Sequence, residues 1–168
     1  VVLSFEHTPH YVRELDPAAR ARVESVARRL SQAGLINERS ENLTAMVWKK
    51  AILNASLNAL CGLTGLDMAA ATRDSSAWHL AEQILIESMQ VARANEIWLG
   101  TGFYDSALRY LRGAGAHRPS MLVDLEAGRR TEIDYINARI VEYGRIGRVA
   151  TPFNQAMVSL VKAREASA

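Results

Sequence analysis

The sequence predicts an all-α fold, mostly or entirely helical, and three observations support this prediction. Apolar residues recur at helical spacing through most of the chain. Glycines and prolines stand where those periodic segments begin and end. No internal repeat or low-complexity stretch interrupts the pattern. The chain has 168 residues, of which 49% are hydrophobic, so it can bury one substantial core.

The first helix is predicted to start at Asp16 and Pro17. Aspartate is a favoured helix cap, and proline suits the first helical position. The helix continues to Gly34 on four apolar positions at helical spacing: Val23, Val26, Ala27 and Leu30.

Two long helices and two short ones follow. The long helices run from near Ser40 to Gly62 and from about Ser75 to Ala94. Short helices are predicted over residues 104–113 and 119–128, each closed by a glycine, which tolerates the left-handed conformation that ends helices. Ser120 follows a proline and is expected to cap the second short helix.

The stretch from Thr131 predicts another helix with an acidic residue near its start. Thr131 is followed three residues later by Asp134, which is the capping-box pattern, and the apolar series continues to Gly144 or Gly147. A cap at Thr131 would place Glu132 in the first helical turn, where the helix dipole favours a carboxylate.

The two ends of the chain carry different signals. The opening VVLSF is a β-branched apolar run typical of a strand, yet no partner strand is visible downstream. At the other end, Thr151 as cap and Pro152 in the first turn predict a last helix that reaches Ala166.

Composition excludes several classes of function. Lys and Arg number 20 and Asp and Glu 18, so the formal charge of +2 provides no basic field for nucleic acid. No apolar run approaches the ~20 residues that cross a membrane. The single cysteine, Cys61, fits a reducing compartment, and the cytoplasm is the expected location. The four histidines lack metal-ligand spacing, so no metal is expected.

A narrow polar line runs along the second predicted helix. Lys50, Asn54 and Asn58 follow one another at four-residue spacing, which places them about 40° apart on a surface that is otherwise apolar. Two interpretations are open: the lysine reaches solvent while the amides bond nearby backbone, or the three line a polar cleft that handles a substrate oxygen and a proton.

Several motifs in a fixed order resemble the C-terminal domain of the ketopantoate reductase (2-dehydropantoate 2-reductase) family. They are W-K-K-x3-N-x3-N from Trp48, R-P-S-M-L-x-D from Arg118, G-R-x-T-E-I-D-Y-I-N from Gly128 and T-P-x-N from Thr151. The resemblance covers roughly residues 33–160. Two departures affect the substrate: no further asparagine occurs in CGLTGLDM, and Ala138 stands where the family usually has glycine.

The resemblance implies an enzyme of two domains. Residues 16–168 would form the helical substrate and catalytic domain, of the kind found in 6-phosphogluconate dehydrogenase-type reductases. Residues 1–15 would be a strand remnant, the tail of or linker from a Rossmann domain that holds NADPH. No G-x-G-x-x-G fingerprint occurs in the chain, so the chain alone is expected to be inactive. The expected partners are that Rossmann domain, a small 2-oxo acid and a homodimer mate.

The resemblance also assigns site residues and a reaction. Lys50 would be the catalytic proton donor to the keto oxygen of 2-dehydropantoate as hydride arrives from NADPH, which yields pantoate for pantothenate synthesis. Asn54 and Asn58 would face the substrate, Ser120 would bind its carboxylate end, and Glu132 would hold substrate hydroxyl or cofactor beside the lysine. Two other functions are open: a stand-alone helical interaction or dimerisation module, and an opine-type dehydrogenase or related reductase acting on another 2-oxo acid.

Overall fold

Eight α-helices account for most of residues 9–167, the part of the chain that the computed structural model describes. They are α1 (Arg20–Gln32), α2 (Leu43–Thr64), α3 (Met68–Arg73), α4 (Ser75–Ala94), α5 (Phe103–Arg112), α6 (Ser120–Glu126), α7 (Asn137–Ile146) and α8 (Pro152–Ala166). A 3-10 turn (Pro17–Ala19) and two three-residue strands, β1 (His10–Val12) and β2 (Asn37–Arg39), complete the regular structure of these residues. The predicted all-α class is confirmed.

The chain divides into two compact units, Val1–Met46 and Val47–Ala168. In the described part of the first, β1 and β2 pair in parallel with His10 opposite Asn37. The Ser31 hydroxyl of α1 accepts the Asn37 N–H at 2.8 Å, which ties the helix to β2. The strand predicted over VVLSF lies outside the described residues, and neither β1 nor β2 was predicted.

A two-pronged ion pair joins the ends of the strands in this unit. Arg39 donates from its Nε to Glu14 Oε2 at 2.8 Å, and its second nitrogen bonds the other carboxylate oxygen. The hydrogen bond to this guanidinium lowers the pKa of Glu14 to about 2. Glu41 also pairs with Arg39, which lowers the Glu41 pKa in the same way.

Helix α2 supplies the central side chains of the second unit's core. Ile52, Ala55, Leu57 and Ala59 are fully buried, as a helix that is apolar nearly all round should be. Helix α4 packs against α5, α7 and α8, and it buries Ile84 in the same core cluster as Ala55. No helix within residues 9–167 is long and apolar enough to span a bilayer.

Helix α4 was predicted with its correct bounds, whereas α1 begins at Arg20, after the 3-10 turn that Asp16 caps. Helix α4 occupies the residues predicted, because Asp74 accepts the N–H groups of Ser76 and Ala77 at 3.0 and 2.8 Å. Helix α3 was not predicted, although Asp67 caps it by accepting the Ala70 N–H at 2.7 Å. Its six residues are too short a run for periodicity to reveal.

The predicted helix start at Thr131 is wrong by six residues. Helix α7 begins at Asn137, and residues 132–136 form turns. The Thr131 hydroxyl donates to Glu165 of α8 at 2.7 Å and accepts the Ile133 N–H at 3.3 Å, so it closes a local turn and does not cap a helix. Glu132 is therefore not in a first helical turn, and the dipole argument for it fails.

Two further predicted caps also differ from the structure. Ser120 is the first residue of α6, Pro119 occupies the cap position, and no side chain caps this helix. Thr151 does occupy the cap position of α8, but its side chain makes no capping bond. The carboxylate of Glu87 replaces it by accepting the N–H groups of Phe153 and Asn154 at 2.8 and 2.9 Å.

That carboxylate belongs to a buried polar cluster made of Glu87, Ser88, Asn137 and Asn154. Asn154 Nδ2 donates to Glu87 at 2.8 Å and lies 3.4 Å from the Ser88 hydroxyl. Asn137 Nδ2 donates to Asn154 Oδ1 at 3.0 Å and to the Ala55 carbonyl at 3.1 Å. The cluster thereby links α4, α7 and α8 to the middle of α2.

Candidate active site

The polar line on α2 changes from exposed to buried along the helix. Lys50 is exposed, Asn54 is half-buried, and Asn58 is 7% exposed. The four-residue spacing advances about 40° around the helix at each step, so the line drifts toward the core. The lysine thus lies at the solvent end of a line whose amides lead inward.

Asn54 and Asn58 lie together with Ser120 on one cleft of about 270 Å³, which we call the asparagine cleft. Helix α6 brings Ser120 there, on the turn after the buried Pro119. The other residues that line it come from α2, α3, α5 and the segment before α6: Leu53, Met68, Tyr110, Leu111, His117 and Pro119. Three of the five predicted site residues are therefore brought together.

The polar groups of this cleft have no partners within the described chain. The hydrogen bonds of residues 9–167 include none from the side chains of Asn54, Asn58 or Ser120. Amides that are buried or half-buried normally pair with protein or with an ordered ligand or water. These three side chains are therefore available to bind a molecule that enters the cleft.

Lys50 is not among the residues that line the asparagine cleft. It lies one helical turn before Asn54 on the same face of α2, and within residues 9–167 its ammonium forms no ion pair. Its neighbour Lys49 points elsewhere, with its Nζ 5.8 Å from the centre of the Phe103 ring. Of the two adjacent lysines, Lys50 is the one free to meet a ligand.

Glu132 lies between two anchored residues. Thr131 is held by its N–H and its hydroxyl, both 2.7 Å from Glu165, and Ile133 is 1% exposed in the core. Glu132 itself is half-buried, and its Oε2 is fully buried without a hydrogen-bond partner in the described chain. A buried carboxylate oxygen without a donor is costly, so this atom points to a donor supplied by a ligand or water.

A second cleft, of about 220 Å³, brings the segment that follows Glu132 to the N-terminal half of α2. Val47 and Ala51, on either side of Lys50 along the helix, line it with Tyr135 and Ile136. Trp48 and Tyr143 close it with an edge-to-face contact at 5.0 Å between ring centres. The segment after Glu132 therefore lies against the half of α2 that carries Lys50. Lys50 and Glu132 themselves do not line a common cleft within residues 9–167.

Sequence reasoning missed three residues that line the asparagine cleft: Met68, Tyr110 and His117. The fold brings each of them from a different segment, and none carries a spacing signal. One contact joins two of them, since the Met68 N–H donates to the His117 carbonyl at 3.0 Å. Only the tertiary structure reveals this group.

Other reactive or concave features lie apart from these residues. Cys61 is fully buried, and burial raises the pKa of its thiol to about 11. A cavity of about 570 Å³ between α4 and α5 is lined by Met89, Trp98 and Tyr104 among others, but by none of the predicted site residues. Residues 9–167 contain no cluster of three side chains suited to a metal.

Comparison with known proteins assigns the family. Residues 42–165 match the family model described as ketopantoate reductase PanE/ApbA C terminal. The chain belongs to the ketopantoate reductase family. The match spans Lys50, Asn54, Asn58, Ser120 and Glu132, and it confirms the resemblance of the motifs.

Relatives within this ketopantoate reductase family are moderately similar. The chain is 30% identical over 143 residues to the 2-dehydropantoate 2-reductase of Pyrococcus horikoshii, covering 85% of the chain and 48% of the relative. It is 33% identical over 144 residues to that of Mesorhizobium japonicum, covering 84% and 43%. The chain thus spans about half the length of the curated relatives it matches.

Solved structures agree with this assignment. A ketopantoate reductase from Ralstonia eutropha superposes with a TM-score of 0.84 at 26% identity, over 96% of this chain and 53% of that one. D-mandelate dehydrogenase with NADH and anilino(oxo)acetate superposes with a TM-score of 0.83 at 30% identity, over 94% and 52%. The fold of a ketopantoate reductase C-terminal domain is therefore shared with a dehydrogenase of another name.

Proposed function

We propose that this chain is the C-terminal substrate and catalytic domain of an NADPH-dependent 2-oxo acid reductase. The reaction that we propose is the reduction of 2-dehydropantoate to pantoate in pantothenate synthesis. One observation carries the proposal: in a chain of this family, two amides and a hydroxyl that have no partner within residues 9–167 share one cleft, and a lysine without an ion pair in those residues lies one turn away. A reductase with an N-terminal nucleotide-binding domain would also explain why the chain spans half of its relatives.

Each residue has a role that its surroundings allow. Reduction of a ketone places negative charge on its oxygen, and Lys50 is the ammonium free to stabilise and protonate that oxygen. Asn54, Asn58 and Ser120 orient the substrate through hydrogen bonds that no protein group occupies. Glu132 accepts a hydrogen bond at its unpartnered Oε2 and holds substrate or cofactor at the lysine end of the site.

The residues present fit the reacting end of a nicotinamide cofactor. The Oε2 of Glu132, which has no donor within the described residues, can accept a hydrogen bond from an amide N–H or a hydroxyl O–H. When bound, NADPH supplies the hydride. The phosphate-binding groups of such a cofactor would come from the Rossmann domain, because this chain lacks the glycine-rich fingerprint for them.

A second candidate substrate follows from one comparison. D-mandelate dehydrogenase, at 30% identity, is described in complex with NADH and anilino(oxo)acetate, which is an aromatic 2-oxo acid derivative. The same lysine chemistry would then reduce a 2-oxo acid with an aromatic side chain, with NADH as donor. A homodimer and a cytoplasmic location remain predictions within either proposal.

The test is the initial rate of NADPH or NADH oxidation by the full-length enzyme. The panel contains ketopantoate, phenylglyoxylate and other 2-oxo acids, each with and without ammonium or amino acids. We expect the highest kcat/KM with ketopantoate and NADPH, and no oxidation by the isolated chain. Preference for phenylglyoxylate would favour the second substrate, turnover only with an amine would favour an opine-type dehydrogenase, and no turnover from folded protein would favour an interaction module.

A further inference from the structure

Two titratable side chains that line the asparagine cleft, Tyr110 and His117, have no part in the roles assigned so far, and the histidine is the basic one. His117 lines the cleft together with Asn54, Asn58 and Ser120, and it is exposed. Within residues 9–167 its ring takes part in no hydrogen bond or ion pair. It is therefore a further polar side chain at the same place without a partner in the described residues.

The backbone holds this histidine at the cleft although its ring is free. The Met68 N–H, at the start of α3, donates to the His117 carbonyl at 3.0 Å. Two residues later the buried Pro119 has a fixed φ and leads into α6. The ring is thus attached to a segment that is fixed on both sides by α3 and α6.

The charge balance of the cleft gives this ring a specific use. The other polar residues that line the cleft, Asn54, Asn58, Tyr110 and Ser120, are uncharged at neutral pH, and no aspartate or glutamate lines it within the described chain. Histidine is the side chain whose charge ordinarily changes between about pH 5 and 8. The imidazole is therefore the one cleft group able to offer a positive charge to a carboxylate.

Several charged groups on the elements around the cleft have partners elsewhere, and none of the charged residues of α3 or α5 lines the cleft. Asp67, next to the start of α3, accepts a backbone N–H of its own helix at 2.7 Å. Arg118 pairs with Glu126 of α6, and the Arg112 guanidinium at the end of α5 lies 4.5 Å from the centre of the Trp78 ring. Among the α2 residues that line the cleft, none is charged. Within residues 9–167, no aspartate or glutamate in the cleft would compete with a substrate carboxylate for the histidine.

We propose that His117, in its protonated form, binds the carboxylate of the 2-oxo acid substrate in the asparagine cleft. This inference rests on the proposed function, since it requires a 2-oxo acid to occupy the cleft. A hydrogen bond from a charged donor to a carboxylate is roughly twice as strong as a neutral one. The carboxylate does not change charge during reduction, so the contact stabilises the bound substrate and the transition state equally. It therefore lowers KM without raising kcat.

The first test measures KM and kcat of the full-length enzyme carrying His117→Gln. We expect KM for the 2-oxo acid to rise about tenfold with kcat within about twofold, because uniform binding is lost. His79→Gln is the matched control, since His79 is exposed on α4 and does not line the cleft. The primary amide of the same oxo acid is the matched substrate, and its KM should not change in either variant.

The second test measures KM as a function of pH, and it includes a variant that carries a permanent positive charge at position 117. KM of the unmodified enzyme for the acid should rise from acid to alkaline pH, because only a protonated imidazole carries the charge, whereas KM for the amide should stay level. His117→Gln should abolish this dependence. His117→Lys should keep a low KM across that range, because an ammonium stays charged, and it also tests the proposal if the glutamine variant fails to fold.

The outcomes separate this inference from the proposed function. An enzyme that reduces 2-oxo acids while His117→Gln and His117→Lys leave KM and its pH profile unchanged overturns the role of His117 and leaves the reductase proposal intact. An enzyme that reduces no 2-oxo acid overturns both. A rise in KM that is equal for the acid and its amide also overturns the inference, because it reports a change of cleft shape instead of a lost charge.

Discussion

The buried polar cluster and the asparagine cleft use the same kinds of side chain in opposite ways. In the cluster, Asn137 and Asn154 are fully buried; Asn137 Nδ2 donates to Asn154 and Ala55, Asn154 Nδ2 donates to Glu87, and of these amide atoms Asn137 Oδ1 alone lacks a partner within residues 9–167. In the cleft, the amides of Asn54 and Asn58 have no partner in the described chain. The partners of an asparagine, more than its burial, therefore distinguish a structural role from a binding role.

Energetics explain why the two regions differ. A buried polar group that loses its partner costs about 1–3 kcal/mol, so a fold keeps such groups bonded unless a ligand or water completes them. Asn58 is 7% exposed and lines a cleft, so molecules can reach it, whereas Asn154 is sealed in. Water or a ligand can therefore complete the unpartnered groups on the cleft, as expected of a binding surface.

The largest effect should come from the centre of the buried polar cluster. Glu87→Ala removes the acceptor of three donors, the N–H groups of Phe153 and Asn154 and the Asn154 side chain. We expect the free energy of unfolding to fall by about 3 kcal/mol or more, because buried donors are left unsatisfied. Urea unfolding of the chain measures this. Glu87→Gln, which keeps one carbonyl acceptor, should cost less, and equal losses for the two variants would contradict the hydrogen-bond explanation.

The next largest effect should come from Lys50, one helical turn before the asparagine cleft, and it should appear in turnover but not in the free energy of unfolding. Lys50→Ala in the full-length enzyme should lower turnover by two or more orders of magnitude, about 2.7 kcal/mol, as expected for loss of a positioned proton donor. Lys50 is exposed and unpaired within the described chain, so the urea midpoint should not move. Lys49→Ala is the control, because Lys49 lies over Phe103 and should leave turnover unchanged. Near-normal turnover of Lys50→Ala would remove this lysine from the mechanism.

The sequence was sufficient for most of the fold because apolar periodicity located every described helix except α3, and a local cap fixed the start of α4. Asp74 caps α4 through its own neighbours, so its start was predictable. The start of α7 was not, because Thr131 is bound by Glu165, which lies 34 residues further along the chain. The cap of α8 comes from Glu87, 66 residues before Phe153, for the same reason. Long-range partners override local capping signals.

The candidate site was predictable only where it follows one helix or a family motif. The spacing of Lys50, Asn54 and Asn58 placed them on one face of α2, as the structure has them. Ser120 and Glu132 came from the resemblance alone. Met68 and His117 lie on one cleft because α3 and the segment before α6 meet through a backbone hydrogen bond, and no pattern within either segment records that contact.

A matched pair of asparagine variants gives the sharpest contrast between the regions. Asn137→Ala should lower the free energy of unfolding by about 2 kcal/mol, because the Ala55 carbonyl and Asn154 Oδ1 lose their buried donor. Asn58→Ala should change unfolding by less than about 0.5 kcal/mol and raise KM of the full-length enzyme several-fold. Urea unfolding and steady-state kinetics of both variants test this. A reversal, with Asn58→Ala the less stable variant, would show that Asn58 has a structural role and would contradict the contrast between the two regions.

The smallest effect concerns the Arg39–Glu14 pair of the first unit, whose side chains are 14% and 8% exposed. It tests whether an ion pair outside the buried polar cluster also stabilises. Arg39 lowers the pKa of Glu14 from its ordinary value of 4.5 to about 2. A lowered carboxyl pKa contributes stability that is fully present above about pH 4.5 and is lost as the pH falls toward about 2, since the unfolded chain then binds the proton more readily. Glu41 adds to this dependence with the same sign.

Urea unfolding of the chain between those pH values should therefore show a falling free energy that Arg39→Ala flattens. Arg39→Lys should give an intermediate slope, because it keeps the charge but loses the two-pronged hydrogen bonding. An unchanged slope in Arg39→Ala would mean that this half-buried pair adds nothing to stability. Hydrogen bonding would then stabilise the buried polar cluster but not this pair.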